Sequence, residues 1–232
     1  MKKIVVLSLV IGALFACTML NGCTNSHSID YNSKLQNATE YSFNIVYTTN
    51  TSTDPIYISC YMKNGEYAYR FSQNGFNNEN LAYRQIFADN TFYEICESKK
   101  NGLWVGEFKK TEQVEVTYDK NFMYKYSVYI THGAYATLFT EGTPIEYKGV
   151  PCTQMQIEFE GKLITYVFET ESSNLVKFVL VDGENIMTLE CSDYKFDSID
   201  AECLTLPNTS IQIGTVQLYR EVTDFTYEYF IS

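Results

Sequence analysis

Residues 56–72 read I-Y-I-S-C-Y-M-K-N-G-E-Y-A-Y-R-F-S, from Ile56 to Ser72. Large side chains recur at every second position, the period of a pleated strand with one buried face. Tyr67, Tyr69 and Phe71 fall on one face of the second run. Between the runs stands Asn64-Gly65, a pair that tolerates the positive φ angles of a two-residue hairpin turn. Ile56–Met62 and Glu66–Ser72 are therefore expected to pair as a hairpin.

The same reading extends in both directions. Upstream, Tyr41, Phe43, Ile45 and Tyr47 alternate with Ser42, Asn44, Val46 and Thr48, and a polar turn over Thr49–Asp54 precedes Pro55. Downstream, a loop rich in Asn and Gly covers Gln73–Asn80, and runs at Leu81–Phe87, Thr91–Glu97 and Leu103–Lys109 are separated by turn residues. The last of these carries the only Trp, Trp104. Strands about every ten residues predict a meander. The 20 Tyr and the 16% aromatic content agree, because Tyr packs its ring on a pleated surface and keeps its hydroxyl wet.

The pattern changes between Asp119 and Thr140. Phe122, Met123, Tyr126, Tyr129 and Ile130 recur at three and four, which predicts an amphipathic helix. Gly133 interrupts it, and Ala134–Phe139 reads as a second helical turn. Val128, Tyr129 and Thr131 favour strand and compete with that reading. Alternation then resumes at Thr143–Tyr147, Val150–Phe159, Leu163–Glu169, Leu175–Val181 and Ile186–Phe196. The segment Cys203–Pro207 closes the unit, and the alternating tail Ile211–Phe230 predicts one or two edge strands. No internal repeat or long linker divides the chain, so one domain is expected.

The N-terminus reads as an export signal. Lys2 and Lys3 precede an apolar run, Ile4–Ala16, of signal-peptide length and short of the ~20 residues a membrane span needs. Leu20-Asn21-Gly22-Cys23 follows and resembles the bacterial lipobox. Cys23 would then be cleaved to the N-terminus and would carry diacylglycerol and palmitate-type acyl chains. Cys17, after Leu14-Phe15-Ala16, is the rival site, though Phe15 is bulky where small residues are preferred. An ordinary secretory signal is the remaining alternative. Thr24–Tyr31 is polar and lacks an apolar face, as a tether requires. The expected divisions are a signal peptide over 1–22, a tether over 23–37, a β-rich domain over 38–207 and a C-terminal extension over 208–232.

Charge and cysteine usage narrow the function. The net charge is −11, and removal of two lysines with the signal makes it more negative. Such a surface repels nucleic acid phosphates and anionic headgroups, so no nucleic acid partner is expected. Cys60, Cys96, Cys152, Cys191 and Cys203 form no CxxC pair, and the chain has two His. A metal site is not expected. Pairing of Cys152 with Cys191 or Cys203 and reduced cysteines in strands both remain open. His27 lies in the tether and His132 beside Gly133. No Gly-x-Ser-x-Gly elbow, phosphate loop, dinucleotide fingerprint or HExxH motif is present, so neither enzyme chemistry nor a cofactor is expected.

The second half carries a resemblance. Tyr147-Lys148-Gly149-Val150-Pro151-Cys152 opens a strand, Tyr166-Val167-Phe168-Glu169 and Leu175-Val176-Lys177-Phe178 follow, and Ser192-Asp193-Tyr194-Lys195-Phe196 leads to Leu204-Thr205-Leu206-Pro207. Over residues 38–207 this resembles the lipoprotein-carrier superfamily of the LolA and LolB type, with its Gram-positive and mycobacterial lipoprotein relatives. The resemblance implies a mainly β, α+β fold: a single curved antiparallel sheet, an open half-barrel, with one or two short helices covering the concave face and a cavity for acyl chains. The family's long N-terminal amphipathic helix is not evident, since Ser33–Glu40 is short and polar. An arginine-rich cavity is also not visible. A membrane-anchored receiver fits this better than a soluble shuttle.

On that reading the candidate cavity residues come from inward strand faces: Phe43, Ile45, Tyr67, Tyr69, Phe71, Met155, Ile157 and Phe159. Phe122 and Tyr126 belong to the candidate lid helix. For any single one of them ordinary core packing is the favoured account. The expected function is a non-enzymatic, lipid-anchored extracytoplasmic protein that binds a lipid, an acyl chain or a lipoprotein partner. A surface interaction or structural lipoprotein without a cavity is the alternative.

Overall fold

The computed structural model describes residues 33–77, 82–112, 142–213 and 216–226. Each alternating run becomes a strand: β1 (Glu40–Thr49), β2 (Ile56–Lys63), β3 (Glu66–Ser72), β4 (Ala82–Ala88), β5 (Thr91–Lys100) and β6 (Leu103–Glu112). The second group is β7 (Thr143–Tyr147), β8 (Val150–Phe159), β9 (Lys162–Glu169), β10 (Leu175–Asp182) and β11 (Asn185–Phe196). The tail adds β12 (Gln212–Ile213), β13 (Val216–Gln217) and β14 (Tyr219–Glu221). The β2–β3 turn has the predicted chemistry, with Asn64 at φ 52° and Gly65 at φ 87°. Lys148-Gly149 repeats it between β7 and β8, at 52° and 82°.

The strand order is β14-β6-β5-β4-β3-β2-β1-β11-β10-β9-β8-β7. Two meanders, β1–β6 and β7–β11, are thus joined by the pairing of the first strand with the last long one. Ile45 lies opposite Cys191 and Tyr47 opposite Leu189. The register shifts between Ser42 and Asn44, where Asp193 on β11 takes φ 55°. Asp193 accepts hydrogen bonds there from Asn44 and Ser192, each 3.0 Å. β14 and β7 stand at opposite ends of the order and do not pair, so the sheet is open.

Three expectations are corrected or bounded. The sheet is not wholly antiparallel, because β14 joins the edge strand β6 in parallel, Tyr219 opposite Gly106. The chain reaches that edge after a small separate hairpin, β12–β13, so its approach direction is set by the hairpin rather than by a tight turn. In the stretch assigned to the tether, Ser33–Asn37 forms one helical turn, α1, with Leu35 buried. Among the described residues the remaining helix is a 3-10 turn, Ala201–Leu204, and no helix is long and apolar enough to cross a membrane. The predicted helix over 119–140, with Phe122 and Tyr126, lies outside the described residues, as do Cys17, Cys23 and the signal segment.

The sheet has two cores because it has two faces. The front carries Tyr41, Phe43 and Ile45 with Met62, Cys60 and Ile58 opposite them, then Tyr69 and Phe71 on β3. It continues through Leu189, Phe178, Tyr166 and Met155 in the other meander. These belong to one buried cluster. The back has a smaller cluster confined to the first meander: Ala68, Ile86, Ala88, Ile95 and Phe108. Leu204, Leu206 and Tyr219 cover it. The closing segment Leu204–Pro207 therefore docks behind the sheet.

Arg84 fixes that docking. Its guanidinium donates to the carbonyls of Cys203 and Thr205 at 3.1 and 2.8 Å and pairs with Glu97 at 3.1 Å. Tyr219 donates to the same carboxylate at 2.9 Å. A buried pair of this kind needs such further partners, because its desolvation rivals its Coulomb energy.

Candidate ligand-binding face and cleft

The eight described candidates from the sequence share the front face. Register brings Tyr67, Tyr69 and Phe71 opposite Met62, Cys60 and Ile58, and Phe43 and Ile45 opposite Cys60 and Ile58. On the far side, Met155 lies opposite Tyr166 and Ile157 opposite Ile164. Phe43, Ile45, Tyr69, Phe71 and Met155 are buried. Tyr67 and Ile157 are partly buried and pack against the same cluster. Phe159 is 37% exposed and stands at the strand end.

At that end the front face opens into a cleft of about 350 Å³. Cross-strand rows build it. Thr49 on β1 faces Met187 on β11, Met187 faces Leu180 on β10, and Leu180 faces Ile164 on β9. Tyr47 and Phe178 add the next row, and together these side chains give an apolar floor. The rim is polar: Asn50, Thr51, Glu160, Lys162, Asp182 and Asn185. Phe159 and the 41% exposed Ile186 flank the mouth.

The walls are fastened together. Asn50 donates through its amide to the carbonyl of Glu184 at 2.7 Å and accepts from the backbone N–H of Ile186 at 2.9 Å. Its own backbone N–H donates to Ile186 at 3.1 Å. The β1–β2 turn is thereby tied to the β10–β11 turn across the sheet. Lys162 pairs with Asp182 at 2.8 Å across the β9–β10 edge of the mouth. The lining is divided between apolar floor and polar rim, and the volume sits at the small end of the range of about 300–1,000 Å³ that small-molecule sites span.

Of the eight described cavity candidates, Phe159 alone lines this cleft. Tyr47, Ile164, Phe178, Leu180 and Met187 were not singled out from the sequence. On β9, Leu163, Thr165 and Val167 alternate with Ile164, Tyr166 and Phe168. Both sets are largely apolar, so periodicity does not say which faces the front. The signal that orders them is the pairing of β1 with β11, between residues about 140 apart.

The cysteines buried in the sheet are held as thiols. All five described ones are free, and Cys60, Cys96, Cys152 and Cys191 are buried. Burial pushes the Cys60 thiol well up and those of Cys96 and Cys191 to about 12, which leaves negligible thiolate at neutral pH. Cys152 lies on the back of β8, one residue out of phase with Thr153, while Cys191 faces the front on β11, with two strands between them. That geometry forbids a disulfide between them. Among the described residues no three His, Cys, Asp or Glu side chains form a metal-binding group.

No known protein family matches the sequence, and no curated protein does. Among solved structures the chain is similar to LprF from Mycobacterium bovis, with 16% identity over 74% of this chain and 91% of that one, at a TM-score of 0.44. It is similar to the lipoprotein LppX of Mycobacterium tuberculosis, with 12% identity over 73% and 91% of the two chains, at 0.40. An uncharacterised conserved protein from Thermus thermophilus is similar over 86% of this chain and 100% of its own, with 7% identity and a TM-score of 0.47.

Proposed function

We propose that the chain is a non-enzymatic extracytoplasmic lipoprotein, anchored through acylated Cys23, that binds a hydrophobic ligand on the front face of its sheet. The ligand is a lipid, an acyl chain or the acyl end of a lipoprotein partner. On this reading residues 1–22 are the signal peptide, the tether runs from Cys23 towards α1, and residues 38–207 form a curved carrier-like unit. The segment with Phe122 and Tyr126 is its lid. The observation that carries the proposal is the apolar front face, continuous across both meanders, ending in a fastened cleft with an apolar floor and a polar mouth. Each ligand methylene buried there contributes about 0.8 kcal/mol. The lipobox and the resemblance to the lipoprotein-carrier superfamily support the same reading.

Native mass spectrometry and lipid extraction of the purified chain test it. A co-purifying acyl lipid is expected, and Leu180→Trp, which fills the cleft floor, should lower its occupancy without unfolding the sheet. A chain free of lipid that also takes up no fatty amphiphile would favour a surface interaction lipoprotein instead. The anchor is tested separately: Cys23→Ala should move the chain from the membrane fraction to the soluble one, and unchanged fractionation would reject Cys23 as the lipid site.

A further inference from the structure

The front face of the first meander turns polar over β4–β6, where Gln85, Glu94, Glu107 and Lys109 share it. Tyr83 and Gln85 on β4 lie opposite Cys96 and Glu94 on β5, on the side of the sheet that carries Tyr69 and Phe71. Tyr83 donates its hydroxyl proton to the Glu94 carboxylate in a short hydrogen bond. The same hydroxyl oxygen can then only accept, so Gln85 presents its N–H to it, at 3.3 Å. This fixes the amide orientation, since a flipped amide would set oxygen against oxygen. The Gln85 carbonyl oxygen consequently points elsewhere, and among the described residues it is buried without a hydrogen-bond partner. Gln85 itself is 9% exposed.

A buried acceptor left unmade costs about 1–3 kcal/mol. A hydrogen-bond donor brought to this oxygen would recover that cost. Glu94, beside it, is half-buried. The nearby cation Lys109 faces Glu94 in register, but its ammonium sits 4.4 Å from the centre of the Phe225 ring. Arg220 is occupied with Glu107. The cluster therefore offers a carboxylate and a buried carbonyl oxygen beside the apolar core.

Resting on the ligand-binding reading above, we infer that Gln85 and Glu94 form a headgroup site for an amphiphile bearing a hydrogen-bond-donating cation, an ammonium group. The amide oxygen and the carboxylate would accept its protons while its chain lies along the front face. Acidic charge around the cleft mouth and over the whole chain disfavours an anionic head.

Competition on the full chain tests this, with dodecylammonium, dodecanol and dodecanoate displacing a bound fluorescent fatty probe. Dodecylammonium should bind at least about tenfold more tightly than either of the others, the gain of one charge-assisted hydrogen bond. Gln85→Met should erase most of that preference while leaving the melting temperature unchanged or higher. Glu94→Gln should reduce it further for the ammonium and leave dodecanol unaffected. Equal affinity for the three heads would overturn the headgroup site and leave the hydrophobic-ligand proposal standing. Failure of all three to displace or bind would overturn that proposal itself. A Gln85→Met chain that melts lower and binds as before would assign Gln85 to structure alone.

Discussion

The first meander is buried on both faces, whereas the second keeps much of its back face in water. On β4 six of seven residues are buried, including Arg84 and Gln85. On β8 and β9, Gln156, Glu158 and Leu163 are exposed at the back while Met155, Ile164 and Tyr166 are buried at the front. The difference lies in what the chain does after the last long strand. Residues 201–207 and 219–221 return to the first meander and cover its back and its edge. The second meander receives no such covering among the described residues. Its outermost strand among the described residues, β7, is short and carries Pro144 and Glu146, features that discourage pairing with another sheet.

The contrast breaks most severely at Arg84. Its pair with Glu97 is buried on both sides, at 7% and 5% side-chain exposure. Arg84→Met removes the cation and strands the carboxylate, which costs about 3–5 kcal/mol. Three carbonyl contacts to residues 202–205 go with it. Chemical denaturation should show that loss, and hydrogen exchange should place the new openings in β4–β6 and residues 201–221. A loss below about 1 kcal/mol would mean that apolar contacts alone hold the covering segment.

Gly106 tests the same attachment from the edge. A Cβ there would lie 2.0 Å from the Cys96 carbonyl oxygen on β5, and its neighbours are backbone. Its N–H donates to Leu218 at 2.9 Å, beside the parallel β14 pairing. Gly106→Ala should cost about 1–3 kcal/mol through this overpacking and free β14 from exchange protection. Gly161, in the β8–β9 turn, has φ 75° and open space around its Cβ position. Gly161→Ala should then cost only the conformational strain of about 1–2 kcal/mol and leave the first meander untouched. Equal effects on β14 from both variants would contradict the two-meander picture.

This asymmetry also decides what the sequence could tell. Strand positions and turns were legible because alternation and pairs such as Asn64-Gly65 are local signals. The shared front face of Phe43, Tyr69 and Met155 was legible for the same reason: period two assigns faces within each strand. Two features were not. The β1–β11 pairing joins residues from opposite ends of the domain, so the rows that make the cleft from Thr49, Met187 and Leu180 have no local signature. On β4, Arg84 and Gln85 look like surface residues by type, and only the returning segment and the Tyr83–Glu94 pair give each a place inside. Buried polar residues mark where distant chain attaches, which a window of ten residues does not reveal.

Acid should loosen the tail before it touches the second meander. Glu107 accepts from the backbone N–H of Thr226 at 2.9 Å, from its hydroxyl at 2.7 Å and from Arg220. The Thr226 backbone bond first, then the hydroxyl and Arg220, holds the Glu107 carboxyl below its ordinary value. A depressed folded value means the stabilisation is complete above the unfolded pKa of about 4.3 and is lost as pH falls through the folded one. Residues 222–226 should therefore gain exchange rate only below about pH 4, and Thr226→Val should weaken that dependence. Tail exchange independent of pH down to acid unfolding would remove Glu107 as its latch.

The smallest effect is expected at Lys148, on the more exposed back of the second meander. Its ammonium pairs with Glu190 at 2.8 Å but is 63% exposed, and Tyr147 donates to the same carboxylate at 2.6 Å. Exposed pairs contribute about 0–1 kcal/mol, because water screens the charges and two flexible side chains must be held still. Glu190 is lowered despite its partial burial, the combined bonds from Lys148 and Tyr147 outweighing the desolvation. Lys148→Met leaves the tyrosine bond and a carboxylate that water can reach, so denaturation should register less than about 1 kcal/mol. Added salt should shrink even that, because the pair is screened. A loss approaching that of Arg84→Met would require the back of β7–β11 to be covered after all, and would make the two meanders alike.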